Sequence, residues 1–412
     1  MPRLLLVTQY FPPEIGAAQT RLFELGQELS DLGWDVEVLT ALPNYPTGRV
    51  FQGYSSRKPV RETLGRLSIV RVPLKPAQKG FLNRLVCYYS FVMSAIYWGR
   101  KLCQKPDVLI VESPPIFIGA VAVSLAKHWR VPYVFNVSDL WPESAKRMGI
   151  VKNGVLLSIA EKLELFYYRR AALVTGTADE IVASVRQRSS TPAEVITNGV
   201  DIDRFGPQRA DAEARTLLKT EDRITFIYAG VMGVAQGLHR ILDVATCLSD
   251  LDQVQFVLVG EGAERESLTR RVESEKIQNV RVLGPQPKER IPALLAAADG
   301  VCNVLKFSIP GAVPSKIYEA MATGLPIVFG GEGEGARRIL EAHAGLVVPY
   351  NDVQRLEQAI RQLVMSPALR RQFGQAGRLA AEKLYSRKEI AKRLHVLLLG
   401  ALNGSNPSGA LK

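Results

Sequence analysis

The chain has 412 residues, 47% of them hydrophobic and 22% charged, with 52 Lys plus Arg against 40 Asp plus Glu and a formal charge of +12. That length and apolar content exclude a largely disordered chain and predict two or three globular domains of roughly 100–200 residues each. Four cysteines without a C-x-x-C pair, and four histidines set far from them and from one another, argue against a disulfide scaffold and a zinc site, so no metal is expected.

The N-terminus runs from Met1-Pro2-Arg3 straight into Leu4 to Val7, with no long apolar region or small-residue cleavage site, and reads as a first strand in a cytoplasmic protein. Further strands are expected at Asp35–Thr40, Leu67–Val72, Val108–Val111, Pro132–Val137, Leu173–Thr175 and Glu194–Ile196, with helical periodicity between them. Alternation of that kind builds a parallel sheet with helices on both faces, and ligands bind such sheets beyond the carboxyl ends of the strands. The loop after the first strand, Phe11-Pro12-Pro13-Glu14-Ile15-Gly16-Ala17-Ala18, reads equally as an ordinary turn or as a place where small residues at a helix start, Gly16 among them, let backbone N–H groups approach an anion.

The charge is concentrated. Between Arg49 and Lys105 there are twelve basic residues and one acid, Glu62, so this stretch carries a net +11. Inside it, Phe81 to Trp98 is apolar on all sides, which fits either a core helix or a piece lying in a membrane interface. Arg57, Lys58, Lys75, Lys79, Arg84, Arg100 and Lys101 would then face anionic lipid; no recognised nucleic-acid-binding motif accompanies them, so no nucleic-acid partner is expected. The uncharged stretch Leu85 to Gly99 is shorter than the about 20 residues a membrane-spanning helix needs.

Asn198-Gly199-Val200-Asp201 and the polar stretch to Glu221 suit a hinge, which divides the chain near residue 205. The expected domains are 1–205, 206–386, and a last piece, 387–412, whose helix can pack back on the first domain ahead of a mobile tail. A second series of strands follows the hinge: Ile224–Tyr228, Val254–Val259, Val280–Leu283, Gly300–Leu305, Pro326–Phe329 and Gly345–Val348. The fold class is therefore α/β with two Rossmann-like, doubly wound parallel sheets.

Two loops of the second half can meet a phosphate. Gly230-Val231-Met232-Gly233-Val234-Ala235-Gln236-Gly237 follows a strand and carries three glycines. A helix beginning near Pro314 or Ser315 and ending at Gly324 puts Lys316 and Glu319 on one face, either as a solvated surface pair or as a cation for phosphate beside an acceptor for vicinal hydroxyls. Asp201-Ile202-Asp203 has the D-x-D form of a metal site, but its place after Asn198-Gly199 favours a turn.

Pro314, Glu319-Ala320-Met321-Ala322, Gly324 and Pro326-Ile327-Val328 resemble the nucleotide-sugar signature of retaining GT-B glycosyltransferases of family 4, as do Asn198 to Asp201, the Gly230 to Gly237 loop and Val259-Gly260-Glu261-Gly262. Tyr45-Pro46, Gly53-Tyr54-Ser55 and Asp139-Leu140-Trp141-Pro142-Glu143-Ser144 are similar to the bacterial O-antigen and capsule branch that includes the L-fucosamine transferases. The resemblance covers nearly the whole chain. It implies two domains facing across a cleft and a nucleotide-sugar donor, UDP-linked and with an N-acetylated deoxy-hexosamine among the candidates. It also implies a polyprenyl-diphosphate-linked saccharide acceptor at the inner membrane surface, retention of configuration, and neither cofactor nor metal.

Residue by residue, the resemblance gives Glu319 the ribose hydroxyls. Gly311 stands where the family has a carboxylate for the donor sugar, and Val231 and Gln236 stand where it has the Arg and Lys that bind pyrophosphate. Lys316 and Lys306 are the substitutes at hand, with Ile317 beside them and the backbone of Gly230, Gly233, Gly311 and Ala312. The family's histidine on the catalytic face falls at Ser138, which leaves Asp139 to orient or deprotonate the acceptor, or to cap a helix. A GT-B nucleotide-sugar epimerase and a membrane-associated assembly protein with a degenerate site are the alternatives.

Overall fold

The structure, a computed structural model, describes residues 1–55, 57–77, 80–141, 143, 154–307 and 310–404. It has two compact units, Met1–Asn198 together with the segment from Arg387, and Gly199–Ser386. The division falls inside Asn198-Gly199-Val200-Asp201, at the left-handed Gly199 (φ +60°), a little ahead of residue 205.

The first unit holds β1 (Arg3–Val7), β2 (Asp35–Ala41), β3 (Val60–Leu64), β4 (Leu67–Val72), β5 (Val108–Ser113), β6 (Tyr133–Val137), β7 (Leu173–Gly176) and β8 (Ala193–Val195). They form one sheet in the order β3-β4-β2-β1-β5-β6-β7-β8. All pairs are parallel except β3 with β4, a departure from the expected all-parallel sheet. Leu64 pairs with Leu67 around Gly65 (φ +59°), so a two-residue turn folds a half-exposed polar strand onto the sheet edge, where no hydrophobic run is needed to hold it.

The helix Ala17–Asp31 buries Leu22, Leu25 and Leu29, at helical spacing, against Leu4, Leu6, Val36 and Ile110 of the sheet. The helix Arg387–Leu402 joins the same core through Ile390, Leu394, Leu397 and Leu398, and the buried Trp34 donates its indole N–H to His395 Nδ1 at 2.8 Å.

The apolar segment is a helix, Phe81–Leu102, but not one buried on every side. Cys87, Phe91, Val92 and Ala95 are buried, whereas Leu82, Val86, Tyr89, Met93 and Tyr97 are exposed and recur at the helical spacing of one stripe. Among the described residues no helix is long and apolar enough to cross a membrane.

The second unit holds β9 (Ile224–Ala229), β10 (Val254–Val259), β11 (Val280–Leu283), β12 (Gly300–Val304), β13 (Ile327–Gly330) and β14 (Gly345–Val348), all parallel, in the order β11-β10-β9-β12-β13-β14. Strand order reverses between β1 and β5 in the first sheet and between β9 and β12 in the second. The loops that leave these neighbours part company there and open a crevice.

Candidate active site

At the reversal point of the second sheet, β9 is followed by Gly230 (φ +147°), a conformation that L side chains rarely adopt. A β-carbon on Gly260 would run into the Gly230 carbonyl, and one on Gly262 into that of Met232, so the loops after β9 and β10 interlock through glycine. Tyr228 Oη donates to Val231 O at 2.6 Å and lies 3.3 Å from the Gln236 side-chain amide, which holds the Gly230 to Gly237 loop closed. Gln236 thus serves the loop itself. Lys306 N donates to Ala235 O at 2.9 Å and ties in the loop after β12.

The helix Ser315–Thr323 starts at Pro314 without a side-chain cap and ends at left-handed Gly324 (φ +76°), where Leu325 N reaches Ala320 O at 3.0 Å. Its uncapped first turn leaves backbone N–H groups available for an anion. Lys316, in that turn, crosses back to the glycine loop: its Nζ lies 2.7 Å from where a β-carbon on Gly230 would sit and 5.1 Å from the Tyr228 ring centroid. Burial pulls its pKa below the ordinary lysine value, and the charge of Glu319 pulls it back up.

The structure therefore brings Gly230, Gln236, Lys316 and Glu319 to one end of one sheet, with Ile317 buried behind them. Gly311 is left-handed (φ +75°), Ala312 and Lys306 are exposed, and Gly233 precedes a short turn at Val234–Gln236. Asp201 Oδ1 accepts from the N–H groups of Asp203 and Arg204 at 3.0 Å each, the arrangement of a turn.

In the first unit, the loop with Gly16 does not present a bare helix start. Glu14 is buried and its carboxylate accepts from Phe11 N (3.1 Å), Asn44 N (2.7 Å) and Tyr45 N (2.8 Å), joining the loops after β1 and β2. Desolvation raises its pKa, against those N–H groups and the Arg71 charge. The Gln19 side chain folds over Gly16 and fills the space a β-carbon would need.

The reversal point between β1 and β5 holds a polar network that the sequence reading missed. Arg21 is 5% and Glu112 3% exposed, and they form an ion pair. Ser138 Oγ donates to Glu112 Oε1 and accepts from Arg21 Nη2 at 2.9 Å, Asn136 Nδ2 donates to Glu112 Oε2, and Thr175 Oγ1 donates to Asn136 Oδ1 at 2.7 Å. Arg21 Nη1 reaches Asn198 Oδ1 at 2.9 Å. The signal was present, because Glu112 and Asn136 interrupt apolar strands that should read as continuous hydrophobic runs. Asp139 is half-buried and follows Ser138 directly; Pro142 and residues 144–153, on which its reading as a helix cap depends, lie outside the described residues.

On the outer surface of this unit, Arg57, Lys58, Lys75, Arg84, Arg100 and Lys101 are exposed, and Lys79 lies outside the described residues. The rest of the basic stretch is not all free charge. Arg71 is buried and donates to Glu62 Oε1 at 2.6 Å, Arg61 pairs with Glu37 at 3.3 Å, and Arg66 pairs with Asp31.

Comparison with known proteins agrees with this fold. Residues 16–199 match the glycosyl transferase 4-like domain and residues 210–380 the family described as glycosyl transferases group 1. The "Putative colanic acid biosynthesis glycosyl transferase WcaI" of Escherichia coli K12 is 26% identical over 372 residues, covering 87% of this chain and 91% of its own length. A component of the phosphatidylinositol N-acetylglucosaminyltransferase of Arabidopsis thaliana is 24% identical, covering 98% of this chain and 83% of its own. Among solved structures, the sucrose-phosphate synthase of Thermosynechococcus elongatus superposes with a TM-score of 0.76 at 19% identity, over 98% of this chain and 100% of its own. HepE of Anabaena, solved in complex with UDP, gives 0.73 at 18%, over 97% and 100%. Two parallel-sheet units of the GT-B class, one carrying each family match in that order, identify the chain as a glycosyltransferase that joins a glycosyl transferase 4-like domain to a group 1 domain.

Proposed function

We propose that this glycosyltransferase moves a sugar, with retention, from a nucleoside-diphosphate donor held by the second unit to a lipid-linked saccharide at an anionic membrane surface. The observation that carries the donor half is Lys316, held across Gly230 at the uncapped start of the Ser315–Thr323 helix. A diphosphate there meets a cation and backbone N–H groups together, which stabilises the charge that grows on the departing nucleotide. Glu319, one turn on, accepts from ribose hydroxyls. Lys306 and the Gly311-Ala312 backbone add donors. HepE, solved with UDP, supports UDP as the first nucleotide to test.

The acceptor half rests on the first unit. The exposed stripe Leu82, Val86, Tyr89, Met93 and Tyr97, flanked by Lys75, Arg84, Arg100 and Lys101, suits the boundary between headgroups and acyl chains. Retention by front-side attack follows the family resemblance, with Asp139 orienting the acceptor hydroxyl. The reaction needs no metal, so EDTA leaves the rate unchanged.

The test is a donor panel of UDP-, GDP- and dTDP-sugars given with polyprenyl-diphosphate saccharides, the product anomer being read by NMR. Transfer with the donor's anomeric configuration supports the reading. Product from donor alone favours epimerisation. No binding of any nucleoside diphosphate at millimolar concentration, in the wild type, removes it.

A further inference from the structure

Asn303 lies in β12, beside the reversal point of the second sheet, and is only 4% exposed. Among the described residues neither its Oδ1 nor its Nδ2 has a hydrogen-bond partner. Leaving both ends of a buried amide unpaired costs stability, and native proteins rarely do so without a use for the group. Asparagine is also a poor strand former, and a strand buried on both faces calls for Val, Ile or Leu.

The side chain's place in the fold narrows that use. Cys302 and Val304 belong to the core on the face covered by the helices His239–Cys247 and Val353–Met365, so alternation puts Asn303 on the opposite face. Its register partner Phe329 lies on that face too. A β-carbon on Gly335 would meet Ile317, Pro314 and Phe329 together, so the strand face beside Asn303 is the one the first turn of the Ser315–Thr323 helix covers. That turn carries Lys316.

We infer that Asn303 is a donor-site residue, whose Nδ2 donates to a phosphate oxygen of the nucleoside-diphosphate donor beneath the first turn of the Ser315–Thr323 helix. The inference rests on the donor-site reading above. A neutral amide suits this floor, because it supplies a donor without a second cation to repel the partly desolvated Lys316. The unpaired amide is stability given up for binding.

Asn303→Leu, close in volume, tests this, with UDP, GDP, UMP and GMP as probes in calorimetry and thermal unfolding of the free protein. The expected result is that the free variant melts at the same or a higher temperature than wild type, while the nucleoside diphosphate that wild type binds loses about ten-fold in affinity. Asn303→Asp, which places a carboxylate against the phosphates, should lose more. If Asn303→Leu binds the diphosphate as wild type does, or melts well below it, the amide serves a buried water or the fold and the inference fails. Lys316→Met separates the two readings. Weakened binding there with none at Asn303→Leu removes this inference alone, whereas a wild type that binds no nucleoside diphosphate removes both.

Discussion

Lys316 occupies the space that a side chain on Gly230 would need: its Nζ stands 2.7 Å from the position of that missing β-carbon. One residue's absence of a side chain thus sets where another's charge can be. Gly230→Ala forces Lys316 off the loop and strains a backbone at φ +147°. The expected outcome is a loss of nucleoside-diphosphate affinity of about ten-fold or more, one charge-assisted contact's worth, measured by calorimetry. Affinity equal to wild type would show that Lys316 does not need this position.

The depressed pKa of Lys316 predicts a pH dependence for the proposed donor binding. In the free protein burial disfavours the ammonium, and a bound diphosphate favours it, so binding takes up a proton wherever the free amine is populated. Affinity should therefore fall as pH rises through the free-protein value, beginning below the ordinary lysine range. The same shift makes the contribution of Lys316 to stability unfavourable at low pH. It is relieved as pH rises from the folded value toward the unfolded one. Titrating affinity against pH in wild type and Lys316→Arg checks this, since arginine keeps its charge and should flatten the profile.

Glu14 offers a test of the first unit's loops. Its two carboxylate oxygens take three backbone N–H groups, and glutamine turns one of those oxygens into a donor facing a donor. Glu14→Gln should destabilise the protein by about 1–3 kcal/mol. Because desolvation raises the Glu14 pKa, its ionised form weighs against folding at higher pH, and that penalty is relieved as pH falls from the folded value toward the lower unfolded one. The difference between variant and wild type in urea midpoint, followed from pH 5 to pH 8, measures both effects.

Exchanging Arg57, Lys58, Lys75, Arg84, Arg100 and Lys101 for glutamine should release the protein from vesicles of anionic lipid, at about 1 kcal/mol for each base near the surface. Nucleotide affinity should stay at the wild-type value, because these residues belong to the first unit. Tyr89→Ser with Met93→Ser should weaken vesicle binding at high salt, where the charges are screened and the apolar stripe remains. Sedimentation with liposomes reads the two vesicle outcomes, and calorimetry with nucleoside diphosphates reads the affinity. Retention of the glutamine variant on anionic vesicles would assign the patch another purpose.

Much of the fold was legible because buried parallel strands advertise themselves as unbroken apolar runs between helices. β3 was not, because an edge strand carrying Arg61 and Glu62 needs no such run and is held by a two-residue turn. The aromatic helix was half legible: composition shows how apolar it is, whereas the split between Phe91 inside and Tyr89 outside depends on what packs against it. In the candidate site, the loops proposed to meet the donor phosphates show in glycine spacing and in Lys316. The Arg21, Glu112 and Ser138 network did not, since its members are scattered along the sequence and meet only through the order of β1, β5 and β6.

The helix Arg387–Leu402 completes the core that Leu4 and Leu22 begin, and Val200 N bonds to Tyr385 O at 2.8 Å where the chain enters and leaves the second unit. In genetic terms the second unit is an insertion inside the first. The part of the protein synthesised earliest must therefore wait, its Trp34 and Leu25 face uncovered, until the last helix has emerged, while residues 199–386 can close their own core first. A stop codon shortly before Arg387 would spare the later-made unit and leave the earlier-made one unfinished.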